Sequence, residues 1–338
     1  MLSIGLDAHE RTSSLCILDT SGRTVKEVTV KGHPRRVLRW LGEVKEPFKI
    51  CFEASTNYGW LYDELKAFAV EVLVAHPGRL RLIFRSRRKN DRIDAARLAK
   101  LLYLGELPLV HVPSVDVRAW RGLIEHRQRC VRERTRVKNG IRALLRTHGI
   151  QMACRMRLWA RKGHAWLLEV DMPTAVAALR RDQFLDDLEH HTRKIHRLET
   201  MLGSIGNRHP GMVLLQTIPG VGVRTAEAFL AYVDDPQRFR GRSIGAYLGM
   251  VPRQNASGGV NRLGRITREG PSTVRQMLAE ATWQAIRRSP TVRKRFERIC
   301  QGRPDRRKKA LVATAHYLAR VMIGMLNTGE RWREEVAA

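Results

Sequence analysis

Four carboxylates stand where they could share a metal ion. Asp7 and Glu53 each end an apolar run typical of a strand, and Asp91 and Asp94 would share one face of a helix. Carboxylates brought together repel one another unless a divalent cation lies between them, and two Mg²⁺ ions held this way can cut a phosphodiester. Simpler interpretations stay open: a turn for Asp7, a helix N-cap for Asp91 and a first-turn acid for Asp94.

The elements around these acids predict a mixed α/β domain over residues 1–110. Strand patterns cover residues 2–6, 14–18, 24–30, 48–52 and 70–74, and helical patterns cover 34–41, 58–68 and 92–104. Three successive strands followed by alternating helices and strands favour a mixed sheet. Because open α/β sheets bind ligands at the carboxyl ends of their strands, Asp7 and Glu53 are expected at a binding edge.

A second stretch, residues 252–266, combines a serine with glycines and arginines. Gly258 and Gly259 permit a positive φ and a close approach to a ligand. Three arginines can fork onto phosphate oxygens: Arg253, Arg262 and Arg265. The stretch has no hydrophobic period long enough for a helix or strand, so we predict a loop in which Ser257 meets a phosphodiester. The alternative is a surface loop whose serine caps a turn.

Composition points to nucleic acid. The 338 residues contain 62 Lys and Arg against 33 Asp and Glu, a net charge of +29 that a polyanion would neutralise. No run of 18 apolar residues and no signal peptide is seen, so a membrane is not expected. The five cysteines are scattered singly, which fits a reducing cytoplasm.

Residues 111–205 predict a long basic arm. Residues 115–147 and 173–203 each carry a narrow apolar stripe, which indicates an antiparallel helical hairpin or coiled coil that could dimerise. Arginines and lysines cover the other faces of the first helix, Arg134, Lys138 and Arg142 among them. We interpret the arm as a surface that binds the backbone of duplex RNA or DNA.

Residues 206–338 predict a mainly helical domain. Residues 215–226 have the form of a helix-hairpin-helix, in which Gly220 and Gly222 make the turn and the next helix offers free amides to a phosphate beside Arg224. A plain helix-helix corner is the alternative.

A basic run before Asp91 includes Arg87, Arg88 and Lys89. Beside a metal site it would clamp nucleic acid, and the alternative is a solvated loop.

The segments 4–9, 51–55 and 90–96 resemble the ribonuclease-H-like domain of RuvC-type Holliday-junction resolvases. They look still more like the Asp-Glu-Asp-Asp transposases of bacterial insertion sequences, whose four acids match Asp7, Glu53, Asp91 and Asp94 one for one. The segments 218–222, 247–254 and 257–270 resemble the C-terminal transposase domain of the same family. The resemblance therefore covers nearly the whole chain, in the right order.

The resemblance implies an RNA-guided DNA recombinase. In that family a loop serine attacks DNA and forms a covalent phosphoserine link, which maps to Ser257, since Ala256 stands where many relatives have another serine. It also implies Mg²⁺ on the four acids, a structured guide (bridge) RNA, and a homodimer or tetramer that bridges donor and target DNA in a bacterial cytoplasm, at the nucleoid. The alternatives are a metal-dependent junction resolvase, in which Ser257 is structural, and a non-catalytic nucleic-acid-binding protein.

Overall fold

The computed structural model describes residues 1–56, 58–84, 90–152, 156–240 and 243–334. They form two compact units, Met1–Val115 and Asp116–Ala338. The division of residues 111–338 at position 205 stays a prediction, as does the first boundary at 110.

The first unit is built on a five-stranded mixed sheet. Its strands are β1 (Leu2–Ala8), β2 (Thr12–Leu18), β3 (Thr24–Lys31), β4 (Phe48–Glu53) and β5 (Glu71–Ala75). Their order is β3-β2-β1-β4-β5, antiparallel from β3 to β1 and parallel from β1 to β5. The predicted mixed sheet is therefore confirmed.

Helices cover both faces of this sheet. They are α1 (Arg35–Gly42), α2 (Tyr58–Leu65), α3 (Pro77–Ile83) and α4 (Asp91–Leu104). Ile4 and Leu6 of β1 point into a core shared with α1 and α2. Because side chains alternate along a strand, Gly5 and Asp7 face the other side, where α4 lies. Helix α3 was not predicted, since its sequence reads as a basic, proline-led segment.

The second unit is mainly helical, as predicted. Its helices are α5 (Val115–Thr147), α6 (Arg161–Glu169), α7 (Ala175–Gly206), α8 (Gly211–Leu215), α9 (Val223–Val233), α10 (Ser243–Tyr247), α11 (Ser272–Arg288), α12 (Pro290–Cys300) and α13 (Arg307–Thr328). Helices α6 and α12 were not predicted as separate elements. Helix α9 begins at Val223, directly after the glycine turn.

The long helices α5 and α7 share two apolar clusters. Ile141 of α5 packs with Leu185 and Leu188 of α7, and Leu167 of α6 joins them. Near the other end, Trp120 and Leu202 lie in the same core as α9, α11 and α13. The start of α5 and the end of α7 are therefore part of the same hydrophobic core as α9, α11 and α13.

The prediction that residues 252–266 form a loop is wrong. They form an antiparallel hairpin, β6 (Pro252–Ser257) and β7 (Val260–Ile266), joined by Gly258 and Gly259. Almost every residue of both strands is exposed, so no apolar alternation marks them in the sequence. The Gly-Gly pair between two short runs was the available hairpin signal.

Among the described residues, one helical segment is long and apolar enough to span a membrane: Pro304–Thr328, which consists of a 3₁₀ turn followed by α13. Its buried residues, Leu318 and Met322 among them, pack in the core of the second unit. This is the packing of a core helix in a globular domain.

Candidate functional site

The four acids come from three elements of the first unit. Asp7 lies near the end of β1 and Glu53 at the end of β4, and these parallel strands are paired up to Leu6 and Phe52. Asp7 and Glu53 each lie two residues after Gly5 and Cys51 on the same strands, so the four residues share one face of the sheet. Gly5 and Cys51 contact α4, so this is the face that α4 covers. The sheet edge expected from the sequence is therefore where both carboxylates lie.

The first turn of α4 brings the other two acids. The side chain of Asn90 accepts a hydrogen bond from the amide of Arg92 at 3.1 Å, so Asn90 is the N-cap and Asp91 is not. Asp91 and Asp94 are left with their carboxylates free of capping. The N-cap interpretation of Asp91 is thereby excluded.

A close backbone approach holds α4 against the sheet. A Cβ atom at Gly5 would lie 2.1 Å from the carbonyl oxygen of Ala95 and 2.3 Å from the amide nitrogen of Ala99. Only glycine fits between β1 and α4 at this point. Since Ala95 follows Asp94 directly, this contact sets the distance between the acids of α4 and Asp7.

His9 lies between two of the acids. Its Nε2 is 3.3 Å from Asp7 Oδ2 and 3.8 Å from Asp91 Oδ1. Donor atoms of Asp7, His9 and Asp91 all fall within 4.8 Å of one another. A cavity of about 420 Å³ is lined by Asp7, His9, Glu53 and Asp94, so three of the four acids border it, and Asp91 adjoins it through its contact with His9.

The charges in this region are unbalanced. Burial raises the pKa of the Asp7 carboxyl, His9 lowers it, and Asp91 and Asp94 raise it again. Arg97 offsets part of the charge, with its Nη1 3.2 Å from Asp94 Oδ1. Clustered carboxylate oxygens at a solvent-open cavity are the hard donors that Mg²⁺ prefers, so these residues fit a divalent cation.

Ser257 lies at the tip of the exposed β6–β7 hairpin. Gly258 and Gly259 have φ values of +56° and +77°, so both central residues of the turn need a positive φ. Ser257 pairs with Val260 across this turn. An isolated two-stranded hairpin with neither face buried is only marginally stable, which leaves the tip free to adjust to a ligand.

The register places the three arginines of the hairpin on the face of the serine. Arg262 pairs with Asn255, two residues before Ser257. The register then shifts, with one extra β7 residue between Leu263 and Ile266, and this bulge returns Arg265 to the face that carries Arg253. The hairpin therefore presents one hydroxyl and three guanidinium groups on one side.

The base of the hairpin is fixed more firmly than its tip. Nη1 of Arg275 donates hydrogen bonds to the carbonyl oxygens of Leu248, Glu269 and Gly270 at 3.0, 2.7 and 3.0 Å. A Cβ atom at Gly270 would lie 2.0 Å from the carbonyl oxygen of Tyr247. Sequence reasoning missed Arg275, because no pattern tells an arginine that binds carbonyls from one that binds phosphate.

The predicted helix-hairpin-helix turn joins α8 to α9. Gly220 has φ +95° and faces inward, where an added Cβ would lie 2.5 Å from the amide nitrogen of Ala285 on α11. Gly222 precedes α9, whose N-terminus has no side-chain cap, so its first amides stay available. The structure thus gives the two glycines different roles.

Arg224 is turned toward the protein. Its Nη1 is 3.0 Å from Oε2 of Glu227, whose side chain is 1% exposed. Burial raises the pKa of Glu227 and Arg224 lowers it, and the net result is a pKa of about 7. The two residues are three apart on α9, a spacing that permits the contact, whereas the burial of Glu227 depends on tertiary packing. A role for Arg224 in binding nucleic acid stays a prediction.

The basic arm has an aromatic contact at its far end. Lys138 Nζ and Arg142 Cζ lie 4.9 and 5.2 Å from the ring centroid of Trp159. Burial lowers the pKa of Lys138, and Arg134 and Arg142 lower it further, so the three cations crowd one another. The predicted clamp residues Arg87, Arg88 and Lys89 lie outside the described residues.

Comparison with known proteins places the chain in a family. A transposase model of the DEDD IS110 type matches residues 4–150, and a model described as "Transposase IS116/IS110/IS902 family" matches residues 212–297. The first match spans all four acids and the second spans Ser257. Together they cover both regions singled out from the sequence.

Three relatives agree with these matches. A putative transposase of Sinorhizobium fredii is 28% identical over 99% of this chain and 86% of its own length. A probable family 20 transposase of Pseudomonas aeruginosa is 30% identical over 67% of this chain and 68% of its own length. The transposase for insertion sequence element IS1111A of Coxiella burnetii is 26% identical over 98% and 91%. The chain therefore belongs to the IS116/IS110/IS902 family of insertion-sequence transposases.

Proposed function

We propose that this transposase is an RNA-guided DNA recombinase that cuts and rejoins DNA through a phosphoserine on Ser257, assisted by Mg²⁺ at the four acids. The observation that carries the proposal is that Asp7, Glu53 and Asp94 border one cavity that also meets His9 and, through it, Asp91. Family membership supports DNA as the substrate.

Asp7, Glu53, Asp91 and Asp94 would hold the metal. A divalent ion bound there supplies polarisation of the scissile phosphate and stabilisation of the leaving 3′ oxygen. His9 helps to orient Asp7 and Asp91, since its Nε2 is within 3.8 Å of an oxygen of each.

Ser257 is the nucleophile in this proposal. Its Oγ attacks phosphorus, the bond from phosphorus to O3′ breaks, and the serine proton passes to the leaving oxygen, which becomes a 3′ hydroxyl. Attack by the 3′ hydroxyl of the other DNA then frees the serine and rejoins the strands. Arg253, Arg262 and Arg265 share the face of Ser257 and would contact the phosphate in the transition state.

The same proposal assigns the fold. The mixed sheet with acids at the ends of β1 and β4 supports an RNase-H-like, RuvC-like first domain. The uncapped start of α9 after Gly222 supports a helix-hairpin-helix with a phosphate at Gly220–Gly222. The packing of α5 on α7 supports a coiled-coil arm, and the crowded cations at Lys138 support a polyanionic ligand.

The proposal requires the acids and Ser257 to meet, within one protomer or across a dimer. We propose a homodimer or dimer of dimers that bridges donor and target DNA, with a structured guide RNA that pairs with both, in a bacterial cytoplasm at the nucleoid. Sequencing the RNA that co-purifies with the protein tests the guide: one structured species transcribed from the element is expected, and a random sample of cellular RNA would contradict it.

Strand exchange between donor and target DNA tests the chemistry. We expect Ser257→Ala and Asp7→Asn to abolish exchange in Mg²⁺, and EDTA to abolish it for the unaltered protein. Ser204→Ala, which alters an exposed serine on α7, is the matched control and should exchange normally. If Ser257→Ala cleaves DNA as well as the parent, the metal-dependent resolvase is the better account.

A further inference from the structure

A group of cations surrounds an aromatic ring on the first unit. His33, Arg35, Arg36, Arg39 and Trp60 line an open cavity of about 790 Å³. We refer to these five residues as the α1 cation cluster. None of them belongs to the acid site, the hairpin or the basic arm.

The charge of the cluster is not balanced by any carboxylate of the described residues. Arg35 and Arg39 are four residues apart on α1, so their like charges face the same side and repel. Among the residues that the structure describes, no carboxylate lies within 4.0 Å of the guanidinium nitrogens of Arg35, Arg36 or Arg39. An anion from outside the chain would relieve this repulsion.

The fold gives these arginines no packing role that would explain them. Helix α1 turns Val37, Leu38 and Leu41 into the core and leaves the guanidinium groups exposed. The polar contact of Arg36 is to a backbone carbonyl, that of Lys31, at 3.3 Å. The cationic face is therefore a surface property rather than part of the core.

Trp60 adds an aromatic platform to the cations. It lies on α2, half-buried against the core, with the ring of His33 at 5.6 Å and Cζ of Arg35 at 6.0 Å from its ring centroid. A ring of this kind beside guanidinium groups matches the chemistry of single-strand binding, in which a base stacks and the backbone is neutralised. In a duplex the base faces are already stacked and are closed to an indole.

The cluster lies on the other side of the sheet from the acids. Helices α1 and α2 pack on the face that carries Ile4 and Leu6, whereas α4 and its acids lie on the face of Gly5. A strand bound at the cluster would be held at a place where it is not cut.

We infer that the α1 cation cluster binds a single-stranded segment of nucleic acid, with phosphates on Arg35, Arg36 and Arg39 and an unpaired base against Trp60 and His33. The inference rests on the proposed function only in that this protein handles nucleic acid. In this inference the first unit binds single-stranded nucleic acid on one face of its sheet and carries the four acids on the other.

Cross-linking locates the site. A 12-residue single strand that carries 4-thiouridine or 4-thiothymidine is irradiated with the full-length protein, and tryptic peptides that carry the label are identified. We expect label on Trp60 within peptide 50–66 or on His33 within peptide 32–35, assigned to the residue by fragmentation because peptide 50–66 also contains Glu53. Comparison of the RNA and DNA strands tells which sugar is preferred. Label confined to other peptides with both strands would overturn the inference.

Affinity measurements use the same strands with excess duplex DNA as competitor. Arg35→Ala/Arg39→Ala should weaken binding about tenfold at 0.15 M salt and lower the slope of log K against log salt by about 1.4. Trp60→Ala should weaken binding about tenfold and Trp60→Phe much less, because phenylalanine still stacks. The control Arg23→Ala/Lys45→Ala removes the same charge from exposed sites of the same unit.

The outcomes separate this inference from the proposed chemistry. If Arg35→Ala/Arg39→Ala, whose side chains are exposed, weakens single-strand binding no more than the control, the inference is wrong. The same strands are measured with Ser257→Ala, which should bind them as tightly as the parent. Loss of exchange without loss of strand binding would thus bear on Ser257 alone.

Discussion

Gly5 of β1 and Ala95 of α4 are in contact through their backbones, and an added Cβ at Gly5 would lie 2.1 Å from the carbonyl oxygen of Ala95. This contact sets how far Asp91 and Asp94 stand from Asp7. A residue that carries no metal-binding group, Gly5, therefore determines the spacing of the acid cluster.

Gly5→Ala should push α4 away from the sheet. We expect a loss of about 3 kcal/mol in the free energy of unfolding, near the upper end for an overpacked core, and loss of strand exchange. Thermal unfolding and titration of Mn²⁺ into the protein measure the two effects. Gly122→Ala is the control, since it lies in open space on α5 and should gain about 0.5–1 kcal/mol. Normal Mn²⁺ affinity in Gly5→Ala would contradict this role.

Arg275→Gln should loosen the base of the hairpin. The variant loses charged hydrogen bonds to three carbonyl groups, so we expect exchange to fall by about tenfold or more while the core stays folded. Circular dichroism reports the fold, and the rate of exchange reports the hairpin. Arg180→Gln, on the exposed side of α7, should have no effect on either. An unchanged rate in Arg275→Gln would show that the base needs no such clamp.

Glu227→Gln should change how stability depends on pH. The pKa of Glu227 is raised in the folded protein to about 7 from 4.5, so the folded state loses stability as pH rises between these values. Glutamine at this position cannot ionise. The free energy of unfolding of the variant minus that of the parent should therefore increase by up to about 3 kcal/mol from pH 5 to pH 8. Urea unfolding across this range measures the difference. A difference that stays constant with pH would mean that Glu227 is ionised throughout.

Arg134→Ala/Arg142→Ala should weaken binding of duplex DNA and flatten its salt dependence. Each lost phosphate contact lowers the slope of log K against log salt by about 0.9, so a drop of about 1.8 is expected. Fluorescence anisotropy at several salt concentrations measures it, with Arg23→Ala/Lys45→Ala as the control. A slope equal to that of the control would remove the arm from the binding surface.

Much of the first unit could be predicted from the sequence, because three of its strands, β1, β2 and β4, are mostly buried apolar runs. The apolar runs before Asp7 and Glu53 predicted that these acids lie at or within one residue of the ends of β1 and β4, and the helical pattern after Asn90 placed Asp91 and Asp94 in one turn. The sequence could not show that Asn90 rather than Asp91 caps the helix, since either residue type suits that position.

The hairpin at Ser257 escaped prediction for the opposite reason. Its strands are held by backbone pairing and a Gly-Gly turn. Neither face is buried, so the sequence shows no alternation of apolar and polar residues. The inward turn of Gly220 was equally hidden, because it depends on a contact with the distant helix α11. The spacing of Arg224 and Glu227 on α9 permits their pairing, but the burial of Glu227 depends on tertiary packing and could not be predicted. The family resemblance, carried by the acids and the serine region, is confirmed.

The most direct test of the central claim is to identify the residue that carries DNA. Protein is incubated with donor and target DNA and the co-purified RNA in Mg²⁺, denatured, and digested with nuclease and trypsin before mass spectrometry. The account predicts a nucleotide attached through phosphate to Ser257, absent from Ser257→Ala and present in Ser204→Ala. Strand exchange with no nucleotide on any peptide, or with the nucleotide on another residue, would contradict it.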